Sequence, residues 1–228
     1  MIEIANLTKI YNSGKPNSQT SLDNVSFTVS DGELVAVIGK SGAGKSTLLN
    51  IVACLDTPTS GSVILDGEEI SSASEKKRAA VRMDKLGIVT QTPLLVEEIS
   101  AVENVKLPLV LKKLKMSECN QKAANLLKSV GLEGKIEQTV KTLSGGEKQR
   151  VSIARALASD PKIILADEPT GNLDTENASA VFNILKNVAK LGITVIVVTH
   201  DVDIAGMCDR ILELSDGKLK SDVSKTPA

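Results

Sequence analysis

Gly39-Lys40-Ser41-Gly42-Ala43-Gly44-Lys45-Ser46-Thr47 is the stretch of the sequence with the plainest chemistry. It fits G-x-x-x-x-G-K-[ST], with a continuous apolar run at 34–38 before it and a helical run, Leu48-Leu49-Asn50-Ile51-Val52, after it. Glycines let successive backbone N–H groups turn inward around phosphate oxygens, and the N-terminus of the following helix adds its positive end. In that frame Lys45 reaches the β- and γ-phosphates and the Ser46 hydroxyl ligates Mg²⁺. The alternative, a glycine-rich turn that binds nothing, is disfavoured by the buried strand before it and the helix after it.

A second candidate is Ile163-Ile164-Leu165-Ala166-Asp167-Glu168, an apolar strand that ends in two acids. At the C-terminal end of a buried parallel strand, Asp167 faces the same crevice as the phosphate loop, where it can hold the Mg²⁺ shell. Glu168, one residue on, can accept a proton from an attacking water. Taken alone, two acids at a strand end read as a solvated turn; the phosphate loop gives them their chemistry. The third candidate is Leu143-Ser144-Gly145-Gly146-Glu147, followed by Lys148-Gln149-Arg150. Ser144 offers a hydroxyl, and Gly145 and Gly146 offer N–H groups at the start of a helix, which makes a second anion site or, more plainly, a Ser-capped helix.

This third stretch resembles the signature sequence of ABC-type ATPases, and with the other two motifs the resemblance extends over essentially the whole chain. It implies an α/β fold: a P-loop NTPase core with a mostly parallel sheet, an N-terminal antiparallel β subdomain and a helical insertion at about 92–159, all in one nucleotide-binding domain, 1–228. The implied activity is ATP hydrolysis with ATP and Mg²⁺. The implied assembly is a homodimer in the ATP-bound state, in which Ser144, Gly145 and Gly146 face the nucleotide held by the partner's phosphate loop. The family further implies integral membrane permease subunits as partners, and a cytoplasmic location on the inner face of the membrane.

Single positions carry over in the same way. Gln91, after the strand at 86–89, looks like the glutamine that senses Mg²⁺ and the attacking water. Asp174, in Asn172-Leu173-Asp174, looks like the loop residue that communicates across the dimer, and His200, in Val198-Thr199-His200-Asp201, like the histidine that contacts the γ-phosphate. Tyr11 matches the aromatic that stacks on adenine. The catalytic set is therefore Glu168, His200, Gln91 and Lys45, and the metal set Ser46, Gln91 and Asp167. Cys54-Leu55-Asp56, Pro58-Thr59-Ser60-Gly61, Glu103-Asn104-Val105 and Leu107-Pro108-Leu109 are similar to the lipoprotein-releasing and macrolide-export (LolD/MacB-like) branch. That branch implies an FtsX/MacB-like permease, with an adaptor protein in some systems, and export or extraction of a peptide, lipoprotein or antibiotic. A regulatory cassette that controls a membrane protein without moving cargo would carry the same site. Thr90 departs from the branch, which usually has an aromatic there, and Glu97 and Glu98 make the next loop acidic.

The elements that must position these residues follow from patterning. Runs at 34–38, 163–166 and 193–198 read as fully buried strands. Residues 2–7 and 22–29 read as shorter strands and 61–67 as a strand with its turn. Asp174 or Thr175 caps a helix in which Ala178, Val181, Phe182, Leu185 and Val188 recur at helical spacing, closed by Gly192. A polar helix is expected at 72–83, an interruption at Pro108, and a frayed tail after Gly217.

Composition narrows the class. The chain has 228 residues, 42% hydrophobic and 24% charged, enough for a packed core and unlike a disordered chain. Its formal charge of -1, with Lys and Arg dispersed, gives no electrostatic footprint for nucleic acid. Cys54, Cys119 and Cys208 lie far apart with no C-x-x-C pair and read as reduced, mostly buried thiols. No secretory signal is expected at the N-terminus, and no apolar run approaches the ~20 residues of a membrane span. Rings are scarce: no Trp, one His, Tyr11, Phe27 and Phe182.

Overall fold

The computed structural model describes residues 1–225. Strands β1 (Ile2–Tyr11) and β2 (Gln19–Val29) pair antiparallel and bury Ile4, Leu7, Val25 and Phe27 between them and the rest of the chain. Strand β3 (Leu34–Ile38) leads through the phosphate loop into helix α1 (Lys45–Val52). Strands β4 (Ser60–Leu65) and β5 (Glu68–Glu69) follow, then α2 (Glu75–Lys85), capped by Ser74, and β6 (Leu86–Val89). Three helices come next: α3 (Ala101–Leu111), α4 (Met116–Ser129) and α5 (Gly145–Leu157). The chain then runs β7 (Ile163–Asp167), α6 (Thr175–Lys190), β8 (Thr194–Val198), α7 (Val202–Gly206), β9 (Arg210–Ser215) and β10 (Lys218–Ser224).

Two sheets result. The smaller has the order β2-β1-β4-β5 and is antiparallel; the larger has the order β10-β9-β3-β8-β7-β6 and is parallel apart from β10. The continuous apolar runs are explained by burial on both faces. Along β3, β7 and β8, Val35, Val37, Ile163, Leu165, Ile196 and Val198 join one core with β1, β2 and α1. Their neighbours Leu34, Ala36, Ile164, Ala166, Val195 and Val197 join the other, with α3 to α6. This is the two-residue period of a pleated strand, expressed as two cores rather than as one wet and one dry face. Phe27 and Phe182 are both buried, one in each core.

Three expectations change. Pro108 does not interrupt its helix: it lies inside α3, whose start is fixed by a capping box between Ser100 and Glu103 and whose Val102, Val105 and Leu109 are buried. Tertiary burial outweighs the ~3 kcal/mol that an interior proline costs. The segment after Gly217 is not a frayed end, because β10 pairs with β9, tied by the Arg210–Asp222 ion pair with Nε to Oδ1 at 2.6 Å; residues 226–228 of that tail lie outside the described residues. The first two strands also run further than their apolar residues, to Tyr11 and from Gln19, since the Ile10–Thr20 and Tyr11–Gln19 pairs need only backbone groups. Among the described residues no helix is long and apolar enough to cross a membrane.

Candidate functional site

A cleft of about 610 Å³ opens where β3, β7 and β8 end. It is lined by Tyr11, Gly39, Ser41, Gly42, Gly44, Lys45, Ser46, Thr47, Asp167, Glu168 and His200, so residues from four separate stretches of sequence meet at one place. Parallel strands put all their C-terminal ends on one edge, and the loops that follow them converge there.

The phosphate loop is shaped by close backbone packing. Gly44 takes φ +99°, and a Cβ on it would lie 2.4 Å from Ser21 O; a Cβ on Gly39 would lie 2.3 Å from Leu214 O. Glycine is required at both by space as well as by conformation. Gly44 is also the N-cap of α1 and gives no side-chain cap, so the leading N–H groups of that helix are left for a ligand. Lys45 Nζ donates to Gly39 O at 2.7 Å and to Lys40 O at 2.9 Å, which centres its ammonium within the loop. Ala43 is the one loop position turned away: it is buried, its N–H donates to Lys40 O, and its carbonyl accepts from Gly217 N–H.

At the opposite wall Asp167 closes β7. Burial and then the Glu168 charge push its carboxyl above the usual carboxylate range, against the pull of Lys45. A surplus of partly desolvated negative charge in a cleft that Ser46 also lines is the environment a hard divalent cation relieves, so the residues present fit Mg²⁺. Glu168 takes a left-handed backbone (φ +46°), uncommon for a non-glycine residue, held by Glu168 N–H to Val198 O at 2.9 Å and Gly171 N–H to Glu168 O at 3.1 Å. His200 Nδ1 lies 2.9 Å from Glu168 Oε1 and 2.8 Å from Oε2. Facing a carboxylate, Nδ1 carries the proton and donates. Both carboxylate oxygens of Glu168 thus face the one ring N–H, and Oε2 is buried beneath it.

The remaining sequence candidates lie outside the cleft. Gln91 Nε2 donates to Asn172 Oδ1 at 3.4 Å, beside Gly171. Ser144 caps α5: its hydroxyl accepts from Glu147 N–H while Glu147 accepts from Ser144 N–H. Gly145 is exposed, but Gly146 is buried, with room for no Cβ because Asn177 Oδ1 would lie 2.2 Å away. Asp174 caps α6 through Asn177 N–H and also accepts from Asn177 Nδ2.

Sequence reasoning missed several partners. Ser21 and Thr47 share a hydroxyl hydrogen bond at 2.8 Å, and Gln19 also lines the cleft. Helix α5 holds the stretch on either side of Gln91: Gln149 Nε2 donates to Thr90 O, Arg155 Nη1 to Leu94 O, and Lys148 pairs with Glu97 at 2.7 Å. The unexpected acid at position 97 thus has a local partner on the signature helix. The nearly complete burial of Gln149, a polar residue one turn into an amphipathic helix, is the signal that pairs it with this stretch.

The ABC transporter family model matches residues 22–171. Among solved structures, the chain is similar to the ATP-binding cassette MJ0796 in a dimeric, post-hydrolysis state bound to ADP and Pi, with 39% identity, a TM-score of 0.91 and 100% of both chains covered. A second dimeric structure of MJ0796, described as a bacterial ABC transporter cassette, matches with the same 39% identity, TM-score of 0.91 and 100% coverage of each chain. The cbiO1 protein of Clostridium perfringens, part of the ABC transporter complex cbiONQ, matches at 32% identity and a TM-score of 0.89, over 98% of this chain and 88% of that one.

Proposed function

The chain belongs to the ABC transporter family and is an ATP-hydrolysing cassette, and from that premise we propose that two copies close on ATP and drive a separate integral membrane permease from the cytoplasmic side. The observation that carries this reading is the convergence of Lys45, Ser46, Asp167, Glu168 and His200 on one cleft, while Ser144 and Gly145 stay outside it. A nucleotide in the cleft would need the signature residues of another chain to reach its far side. MJ0796 is dimeric and binds ADP and Pi, and cbiO1 is part of a transporter complex, which supports both the dimer and the permease.

On this reading each side chain has one task. The loop N–H groups and the open end of α1 bind the phosphates, and Lys45 adds a positive charge to the β- and γ-positions. Ser46 and Asp167 would hold Mg²⁺, with Gln91 brought to it from the edge of the site; when bound, the ion neutralises phosphate charge. Glu168 accepts the proton of the attacking water, and His200 holds that carboxylate in place through Nδ1 and faces the γ-phosphate. Tyr11 stacks on the base. Ser144, Gly145 and Gly146 serve the partner's nucleotide, and Asp174, at the start of α6, reports across the dimer. Residues 1–228 act as one nucleotide-binding domain with a helical subdomain at about 92–159.

We place the chain in the lipoprotein-releasing and macrolide-export branch, with export or extraction of a peptide, lipoprotein or antibiotic through its permease. The test is reconstitution with the membrane protein that co-purifies with the chain. The reading expects Mg²⁺-dependent ATP turnover coupled to net movement of such a cargo. ATP turnover with no cargo moved would overturn it in favour of a regulatory cassette.

A further inference from the structure

Tyr11, the only tyrosine in the chain, is held by contacts that stacking on a base does not require. Its hydroxyl donates to Asp56 Oδ2 at 2.9 Å. The Lys9 ammonium lies over the ring, 4.8 Å from its centre, and donates in turn to Asp56 Oδ1 at 2.6 Å and Thr57 O at 2.7 Å. Burial raises the Asp56 carboxyl, but the hydrogen bonds from Lys9, Thr57 N–H and Tyr11 outweigh it and hold the group below the ordinary carboxylate range, so it stays charged opposite Lys9. Tyr11 lines the cleft and neither Lys9 nor Asp56 does. The two charged groups therefore grip the ring from outside and leave its cleft side open.

The place of Asp56 in the chain gives the grip its meaning. Leu55 N–H and Asp56 N–H both donate to Asn50 O, which fastens Asp56 to the last turn of α1. The first turn of α1 carries Lys45, Ser46 and Thr47. One rigid helix thus bears the phosphate site at its N-terminus and, just past its C-terminus, the anchor of the aromatic ring.

We propose that Lys9 and Asp56 are positioning residues that key the Tyr11 ring to helix α1, so that the base and the phosphates of a nucleoside triphosphate are gripped at a set separation. This rests on the reading of Tyr11 as the base-stacking residue. The ordering of the ring is then complete before the nucleotide arrives, and affinity is gained by preorganisation rather than by a new contact. Lys9 and Asp56 touch no part of the nucleotide; they act through Tyr11.

The experiment measures binding of MgATP and of magnesium tripolyphosphate, which has the phosphates and no base, to the full chain by calorimetry. Lys9→Met and Asp56→Ala are each expected to weaken MgATP by about three- to tenfold, within the range of one aromatic stack, and to leave tripolyphosphate unchanged. Neither is expected to weaken MgATP further in a Tyr11→Ala background, since residues that act through one group are not additive. If Tyr11→Ala weakens MgATP while Lys9→Met and Asp56→Ala do not, the positioning role is wrong and the stacking role stands. If Tyr11→Ala changes nothing, the stacking role fails and the positioning role fails with it. Equal losses for MgATP and tripolyphosphate in the Lys9 and Asp56 variants would also overturn the proposal, by placing their effect on the phosphate loop.

Discussion

Helices α1 and α5 both begin at a glycine-rich segment, yet their N-termini are finished differently. The start of α1 has no side-chain cap and opens into a cleft walled by Asp167, Glu168 and His200. The start of α5 is closed by a capping box between Ser144 and Glu147 and stands at the surface, with Gly146 packed against Asn177 of α6. The same device, a helix terminus that favours negative charge, serves in one case as the floor of a pocket and in the other as an outward-facing end. An uncapped end inside a pocket can bind an anion with the chain's own residues. A capped, exposed end is stable without one and adds affinity only when a ligand is brought to it from elsewhere.

The sharpest way to break this contrast is at the cleft. Glu168→Gln keeps the side-chain volume and removes the acceptor charge; turnover is expected to fall by about 10²–10⁴ while MgATP affinity is held, as steady-state ATPase assays and calorimetry would record. Unchanged turnover would take the proton-accepting role from Glu168. His200→Ala is expected to act in the same direction but less, at roughly 10–10² in kcat, because Glu168, the proton acceptor, remains. A loss of affinity as large as the loss of kcat would make His200 a support of the nucleotide pocket instead.

A smaller effect concerns stability. Asp167 has its carboxyl raised by burial and by Glu168, so the folded chain holds that proton to higher pH than the unfolded chain does. The unfolded state then releases the proton first, and this residue costs stability as pH rises through the carboxylate range to neutral. Asp167→Asn is therefore expected to raise the nucleotide-free Tm at neutral pH, as thermal melts of the parent and the variant would record. The difference closes at pH values below the carboxylate range. A variant no more stable than the parent at neutral pH would mean that the charge there is already balanced.

What was legible in the sequence was whatever is local in it. The phosphate loop, the two acids at the end of β7 and the Ser-Gly-Gly start of α5 each lie within a few consecutive residues, and the buried strands announce themselves as apolar runs because both faces are covered. Contacts between distant residues left little trace. Lys9 and Asp56 around Tyr11, Ser21 on Thr47, and Leu214 against Gly39 join stretches whose spacing follows no period. Strand β10 escaped notice because its exposed residues alternate without an apolar set, and its pairing with β9 depends on backbone bonds and the Arg210–Asp222 pair. Pro108 misled for a related reason: local propensity opposes a helix there, and the buried face of α3 prevails.

The central claim is that the cleft of one chain is completed by the α5 terminus of another. It is tested most directly by the mass of the MgATP-bound chain in a Glu168→Gln background, measured by light scattering with and without Ser144→Arg, alongside nucleotide bound per chain. The claim predicts a species of about twice the 24.0 kDa chain for Glu168→Gln, returning to a single chain when Ser144→Arg is added, with one ATP still bound to each chain. A dimer that survives Ser144→Arg, or a monomer that loses its ATP with that substitution, would contradict it.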